Sequence, residues 1–189
     1  MPISFDLESL RKTHDCVHYF ETGLWDPRDD VSSKKAVTCG FNTVHCIEIR
    51  KDWVDLGNEL LKDHIDAGKY HLYLDDSANM KTYLAADRFK EKTMFFLDAH
   101  VDNSNIHNYK TKCPLFHELA AIDSLERKDN VILIDDLRII RCAFPWGETS
   151  YGNIDFLQQI QRSILSINPR YKFSTLDGHI ADDVLLAYV

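Results

Sequence analysis

The chain has no CxxC pair. Its five cysteines, Cys16, Cys39, Cys46, Cys113 and Cys142, are odd in number and scattered. That spacing argues against a zinc site and reads as reduced thiols in a cytosol-like, cytoplasmic setting. No apolar run approaches the roughly 18 residues that cross a bilayer. Residues 1–15 alternate charged and apolar side chains, so the expectation is no signal peptide and no membrane partner. Positive charge is in deficit. The balance of 22 basic and 30 acidic residues gives a net charge of −8, which argues against a general nucleic-acid surface. A glycine-lysine phosphate loop is missing. Internal repeats, low-complexity stretches and linkers are missing too.

What remains is an ordered globular composition, 44% hydrophobic and 11% aromatic over 189 residues, and it predicts a single domain. Short apolar runs alternate with helical patterns along the chain. Strands are predicted at residues 16–21, 43–49, 70–74, 94–98 and 131–134, with closing strands at 171–176 and 184–189. Helices are predicted at 31–39, 51–67, 78–89, 113–126 and 153–167, and a short helix or irregular lead-in before residue 15. Long loops are expected at 101–112 and 137–151. Strand–helix alternation of this kind predicts a three-layer α/β fold, mostly parallel, with the last two strands as an antiparallel pair.

Ligands in open α/β sheets sit beyond the carboxyl ends of the strands, and several strands here end in acid. Met94-Phe95-Phe96-Leu97 runs into Asp98, with His100 two positions on, and Val131-Ile132-Leu133-Ile134 runs into Asp135-Asp136. Carboxylates suit a hard cation, so Asp98, Asp135 and Asp136 are expected to converge on Mg²⁺ or Mn²⁺, with His100 as a base. The competing reading has Asp136 neutralised by Arg138 or Arg141. Gly23 follows the first strand and Glu48 ends the second, about 25 residues later, the spacing of a glycine turn and a ribose-binding acid. Asp75-Asp76-Ser77 reads equally as a helix cap or an adenine contact. Tyr109, Trp146 and Tyr151 lie in the long loops, where aromatic faces can stack on a flat acceptor.

In order and spacing, Glu21-Thr22-Gly23, Ile47-Glu48, Asp75-Asp76-Ser77, Leu97-Asp98-Ala99-His100 and Ile134-Asp135-Asp136 resemble class I S-adenosylmethionine-dependent methyltransferases. The likeness spans roughly residues 17–140. It is nearest to metal-dependent sugar O-methyltransferases of the macrocin type and to related bacterial and large-virus proteins. The resemblance implies a Rossmann-like sheet that holds S-adenosylmethionine through Glu21, Gly23, Glu48, Asp76, Ser77 and Asp98. It also implies a divalent ion on Asp98, Asp135 and Asp136, and His100 as the catalytic base where macrocin-type enzymes place an aspartate. A glycan or small-molecule acceptor follows, in the host cytoplasm if the source is viral, and a homo-oligomer is left open. The first loop departs from the family: after Gly23 come Leu24-Trp25-Asp26-Pro27 in place of further glycines. Two alternatives stand beside this reading, a cofactor-binding module without turnover and a metal-dependent hydrolase using the same acids.

Overall fold

The computed structural model describes residues 3–29, 31–99, 113–141 and 156–189. Seven strands form one sheet in the order β3-β2-β1-β4-β5-β7-β6. They are β1 (His18–Thr22), β2 (Thr43–Glu48), β3 (Tyr70–Leu74), β4 (Thr93–Leu97), β5 (Val131–Ile134), β6 (Lys172–Leu176) and β7 (Val184–Tyr188). Neighbours among the first five are parallel, whereas β7 runs antiparallel to both β5 and β6. The central strands β1, β4 and β5 are buried along their whole length. Continuous apolar runs, not alternating ones, are what a sheet covered on both faces requires.

Two cores flank the sheet. Tyr19, Val44, Cys46, Met94, Phe96, Val131 and Leu133 face α1 (Leu7–Thr13) and α2 (Ser32–Thr38). Phe20, Ile47, Phe95, Leu97, Ile132 and Ile134 face α6 (Leu115–Asp123) and α8 (Phe156–Ile167). Residue parity in each strand sets the division, because successive side chains leave opposite faces. A polar ladder crosses the second face. The His18 ring bonds the Thr43 hydroxyl at 2.8 Å, Thr43 bonds His45 at 2.8 Å, and His45 bonds Tyr73 Oη at 3.0 Å. Burial holds His45 neutral, with its pKa driven down to about 2.

The helices differ from expectation at three places. The helix predicted over 51–67 breaks at Leu61 into α3 (Lys51–Leu60) and α4 (Lys62–Asp66). There Leu61 leaves helical geometry at φ −108° and ψ 13°, and its carbonyl accepts from both the His64 and Ile65 N–H groups at 3.0 Å, a tightened turn at the break. The helix predicted over 78–89 is only α5 (Met80–Tyr83), with 3-10 turns at Ser77–Asn79 and Asp87–Lys90. Ala86 is extended, which returns the buried Phe89 ring to the core against Phe20, 5.6 Å away. That burial outweighs a continuous but poorly apolar helix. Beyond Asp136 lies a single helical turn, α7 (Leu137–Ile140), where loop was expected.

Candidate functional site

Parallel strands β1–β5 all deliver their last residues to one edge, and backbone contacts draw those ends together there. Gly23 leaves β1 with φ +85°, its N–H donating to Ile47 O at 2.8 Å. A Cβ on it would lie 2.6 Å from the Asp98 carbonyl oxygen. Only glycine permits both this left-handed turn and the approach of the β4 terminus. Trp25 also turns left-handed, at φ +64°, a backbone conformation that favours glycine. Its indole N–H donates to Asp29 at 3.2 Å, and its ring meets Trp53 at 5.3 Å. The Arg50 guanidinium lies 3.7 Å over Trp53. Aromatic packing therefore holds the loop in a shape that glycine would reach without strain.

Glu48, at the end of β2, joins two loops. Its Oε2 accepts from Leu24 N–H at 2.8 Å and its Oε1 from Arg50 N–H at 2.7 Å. Burial raises its pKa and these backbone bonds pull it back. The Trp25 and Ile49 amides pull in the same direction, so this buried carboxylate is the point on which both loops converge. Beside it, Asp75 N–H donates to Glu48 O at 3.1 Å, which brings the ends of β2 and β3 together. Ile49 and Leu74 there are 64% and 50% exposed, large apolar surfaces at the edge where a flat base would lie. These features fit a bound nucleoside. Asp76 is the N-cap of the Ser77–Asn79 turn, accepting from Ala78 N–H at 2.9 Å, and Ser77 is buried. Asp75 accepts from Tyr83 Oη at 2.8 Å.

Glu21 is fully buried and accepts from the Ser32 hydroxyl at the start of α2. Burial pushes its pKa up to about 8, so it carries its proton at neutral pH. It sits beneath the first loop, on the sheet face opposite the His45 ladder.

The acid half is built differently. Asp98 is half-buried, its N–H donating to Thr22 O at 3.0 Å. Asp135 follows β5 with its N–H on Leu97 O at 3.2 Å, and its Oδ1 accepts from Asp136 N–H at 2.7 Å. Asp136 is left-handed, at φ 61°. Among the described residues, the carboxylates that meet within 4.8 Å are Asp135, Asp136 and Asp183. Asp98 is not in that group. Asp183 has no accessible surface and takes Arg138 on both oxygens, from the backbone N–H at 2.9 Å and from Nη1. Arg138 Nη2 lies 2.5 Å from Asp136 Oδ1. The donor chemistry suits a hard cation, but a guanidinium already bridges two of the three acids. As arranged, the cluster fits an internal counter-ion better than a resident metal.

Asp183 escapes the sequence reading, yet its signal is present. It directly precedes β7, and in an antiparallel strand the leading residue lies at the edge where parallel strands finish. His100, Tyr109, Trp146 and Tyr151 lie outside the described residues. No described helix is long and apolar enough to cross a membrane.

No protein-family model and no curated protein matches the chain. Solved structures do. The O-methyltransferase TomG of Streptomyces achromogenes, involved in tomaymycin synthesis and bound to S-adenosylmethionine, superposes with a TM-score of 0.60 at 15% identity. The match covers 97% of this chain and 77% of TomG. An O-methyltransferase of Bacillus cereus in complex with S-adenosylhomocysteine matches with a TM-score of 0.59 at 16% identity, over 97% of this chain and 78% of the other. Cofactor-bound Rv0187 from MTB gives a TM-score of 0.57 at 16% identity, over 97% and 77%. At such identities the likeness is one of architecture. With its 3-2-1-4-5-7-6 strand order and single reversed strand, the chain has the fold of class I S-adenosylmethionine-dependent methyltransferases.

Proposed function

We propose that the chain is an S-adenosylmethionine-dependent O-methyltransferase acting on a sugar hydroxyl, with a glycan-terminal deoxysugar as the acceptor class. The observation that carries the cofactor part of this reading is Glu48, whose carboxylate clasps the Leu24 and Arg50 amides at the ligand edge of a methyltransferase-type sheet, and the sugar acceptor rests on the sequence resemblance alone. The cofactor supplies an electrophilic methyl group when bound. Glu48 would take its ribose, Ile49 and Leu74 would flank its adenine, and Asp76 and Ser77 would border that base. Gly23 and Asp98 would line the approach between β1 and β4. Glu21 would act from below, by holding the loop through Ser32. His100 would remove the proton of the acceptor hydroxyl, and alignment of the two substrates would supply most of the acceleration.

A second reading adds Mg²⁺ or Mn²⁺ on Asp98, Asp135 and Asp136. The 4.8 Å grouping of Asp135 and Asp136 favours two of those ligands, whereas Asp98 stands outside the group and the Arg138 bridge counts against an ion there. The test combines labelled S-adenosylmethionine with a panel of sugars and catechols, with and without chelator, and a calorimetric titration of S-adenosylhomocysteine. Methyl transfer to a sugar, together with a loss of cofactor affinity in Glu48→Ala, is the expected result. No transfer to any acceptor and no cofactor binding would sink the reading.

A further inference from the structure

Arg138 stands where an ion would have to stand in the acid cluster, and we propose that it is the cluster's permanent cation, making the acceptor edge independent of divalent metal. The inference rests on the methyl-transfer reading only in placing an acceptor at this edge. It starts in the backbone. Asp136 adopts φ 61° and ψ 37°, which turns the chain into α7 directly above the cluster. Leu137 N–H then donates to Asp183 O at 2.7 Å, and Arg138 N–H to Asp183 Oδ1 at 2.9 Å. The main chain of residue 138 is thereby fixed against the leading end of β7, whatever its side chain.

From that position the guanidinium forks. Nη1 donates to Asp183 Oδ2, and Nη2 meets Asp136 Oδ1 at 2.5 Å. A planar group with five donors spans two carboxylates in one geometry, which a lysine ammonium does not. Asp135 receives its own donor, the Asp136 N–H at 2.7 Å. Asp135 and Asp183 are thus met by hydrogen-bond donors belonging to the chain, and the buried Asp136 Oδ1 is met by charge alone, the guanidinium lying against it without hydrogen-bond geometry. A dication entering here would have to break the Nη2–Asp136 contact and leave two like charges side by side in a site of low exposure. Arg138 is a positioning residue: it sets the direction of Asp136 and Asp183 and so shapes the edge at which an acceptor hydroxyl would be held.

The experiment titrates the full chain with Mn²⁺ alone by calorimetry and follows the melting temperature with Mn²⁺ and with chelator. The native chain is expected to show no saturable uptake up to about 1 mM and no change in melting temperature. Arg138→Met keeps the apolar stem but removes the charge. It is expected to gain saturable uptake of Mn²⁺, at least about tenfold tighter than native, and to melt higher when the ion is added. A merely structural arginine would produce no such gain. Saturable micromolar binding by the native chain overturns the proposal by itself, as does a folded Arg138→Met that takes up no ion. If Arg138→Met does not fold, Arg138→Lys decides: uptake above native supports the proposal, and uptake equal to native overturns it. S-adenosylhomocysteine is titrated into the same samples. Its failure to bind would remove the methyl-transfer reading and leave the Mn²⁺ result standing.

Discussion

The two halves of the ligand edge differ in what holds them. Over β1 to β3 the organising contacts are backbone ones: the left-handed turn at Gly23, the amides of Leu24 and Arg50 on Glu48, and the Asp75 amide on Glu48 O. Over β4, β5 and β7 similar backbone bonds are joined by charges, Asp136 and Asp183 against Arg138. Each half also contains a carboxyl group with no solvent exposure, Glu21 in one and Asp183 in the other. The first keeps its proton and a hydroxyl partner, whereas the second is met by a guanidinium. Burial of an acid is tolerated either way, and the choice decides whether the site depends on pH or on its ion pair.

The contrast can be broken most forcefully at Asp183. Asp183→Ala strips Arg138 of its main partner and is expected to cost about 3–5 kcal/mol in chemical denaturation. A loss under about 1 kcal/mol would mean the pair contributes no more than a surface salt bridge.

Glu21→Gln comes next and has a pH signature. Because the folded pKa, about 8, lies above the ordinary 4.5, the native chain loses stability as pH rises between those values. Gln does not ionise, so at pH 7 the variant is expected to be more stable by about 3 kcal/mol, and equal to native near pH 4. His45 contributes separately, losing stability as pH falls below 6.5, and the difference between variant and native removes its part. A pH-independent difference would show that Glu21 is ionised in the folded chain.

Gly23→Ala should cost about 2–3 kcal/mol, since its Cβ would meet main-chain atoms at 2.6 Å and 2.9 Å, neither of which is a flexible tip. It should also weaken S-adenosylhomocysteine binding; unchanged affinity by calorimetry would move the cofactor away from this turn. The smallest effect is expected at Trp25. Trp25→Gly relieves a left-handed strain of about 1–2 kcal/mol and gives up an aromatic contact of similar size. Stability should change by less than about 1 kcal/mol, with cofactor affinity preserved. A tenfold loss of affinity would show that the indole touches the ligand.

Much of this edge is readable in the sequence because parallel strands end in a fixed direction. The apolar runs at 94–97 and 131–134 give both strands, and the residues after them must lie together. Gly23 and Glu48 follow from the spacing of the first two strands. Three features resist such reading. The short α5 depends on where Phe89 finds its pocket, and the break at Leu61 on a local turn. Asp183 depends on strand direction: a closing antiparallel pair is legible, but carrying its reversed sense to the residue before Val184 takes one further step. The Arg138–Asp136 pairing is one of two readings that the sequence allows, and the coordinates select it.

The position of β7 has a consequence for assembly. It follows β6 in the chain yet lies between β5 and β6 in the sheet, so the outermost strand has nothing to pair with until the later one is in place. Docking of β7 is also the event that delivers Asp183 to Arg138. A nascent chain can therefore stack β1 to β5 and form the nucleoside side early, while the acidic corner waits for the last insertion. Completion of the sheet and completion of that corner are one step.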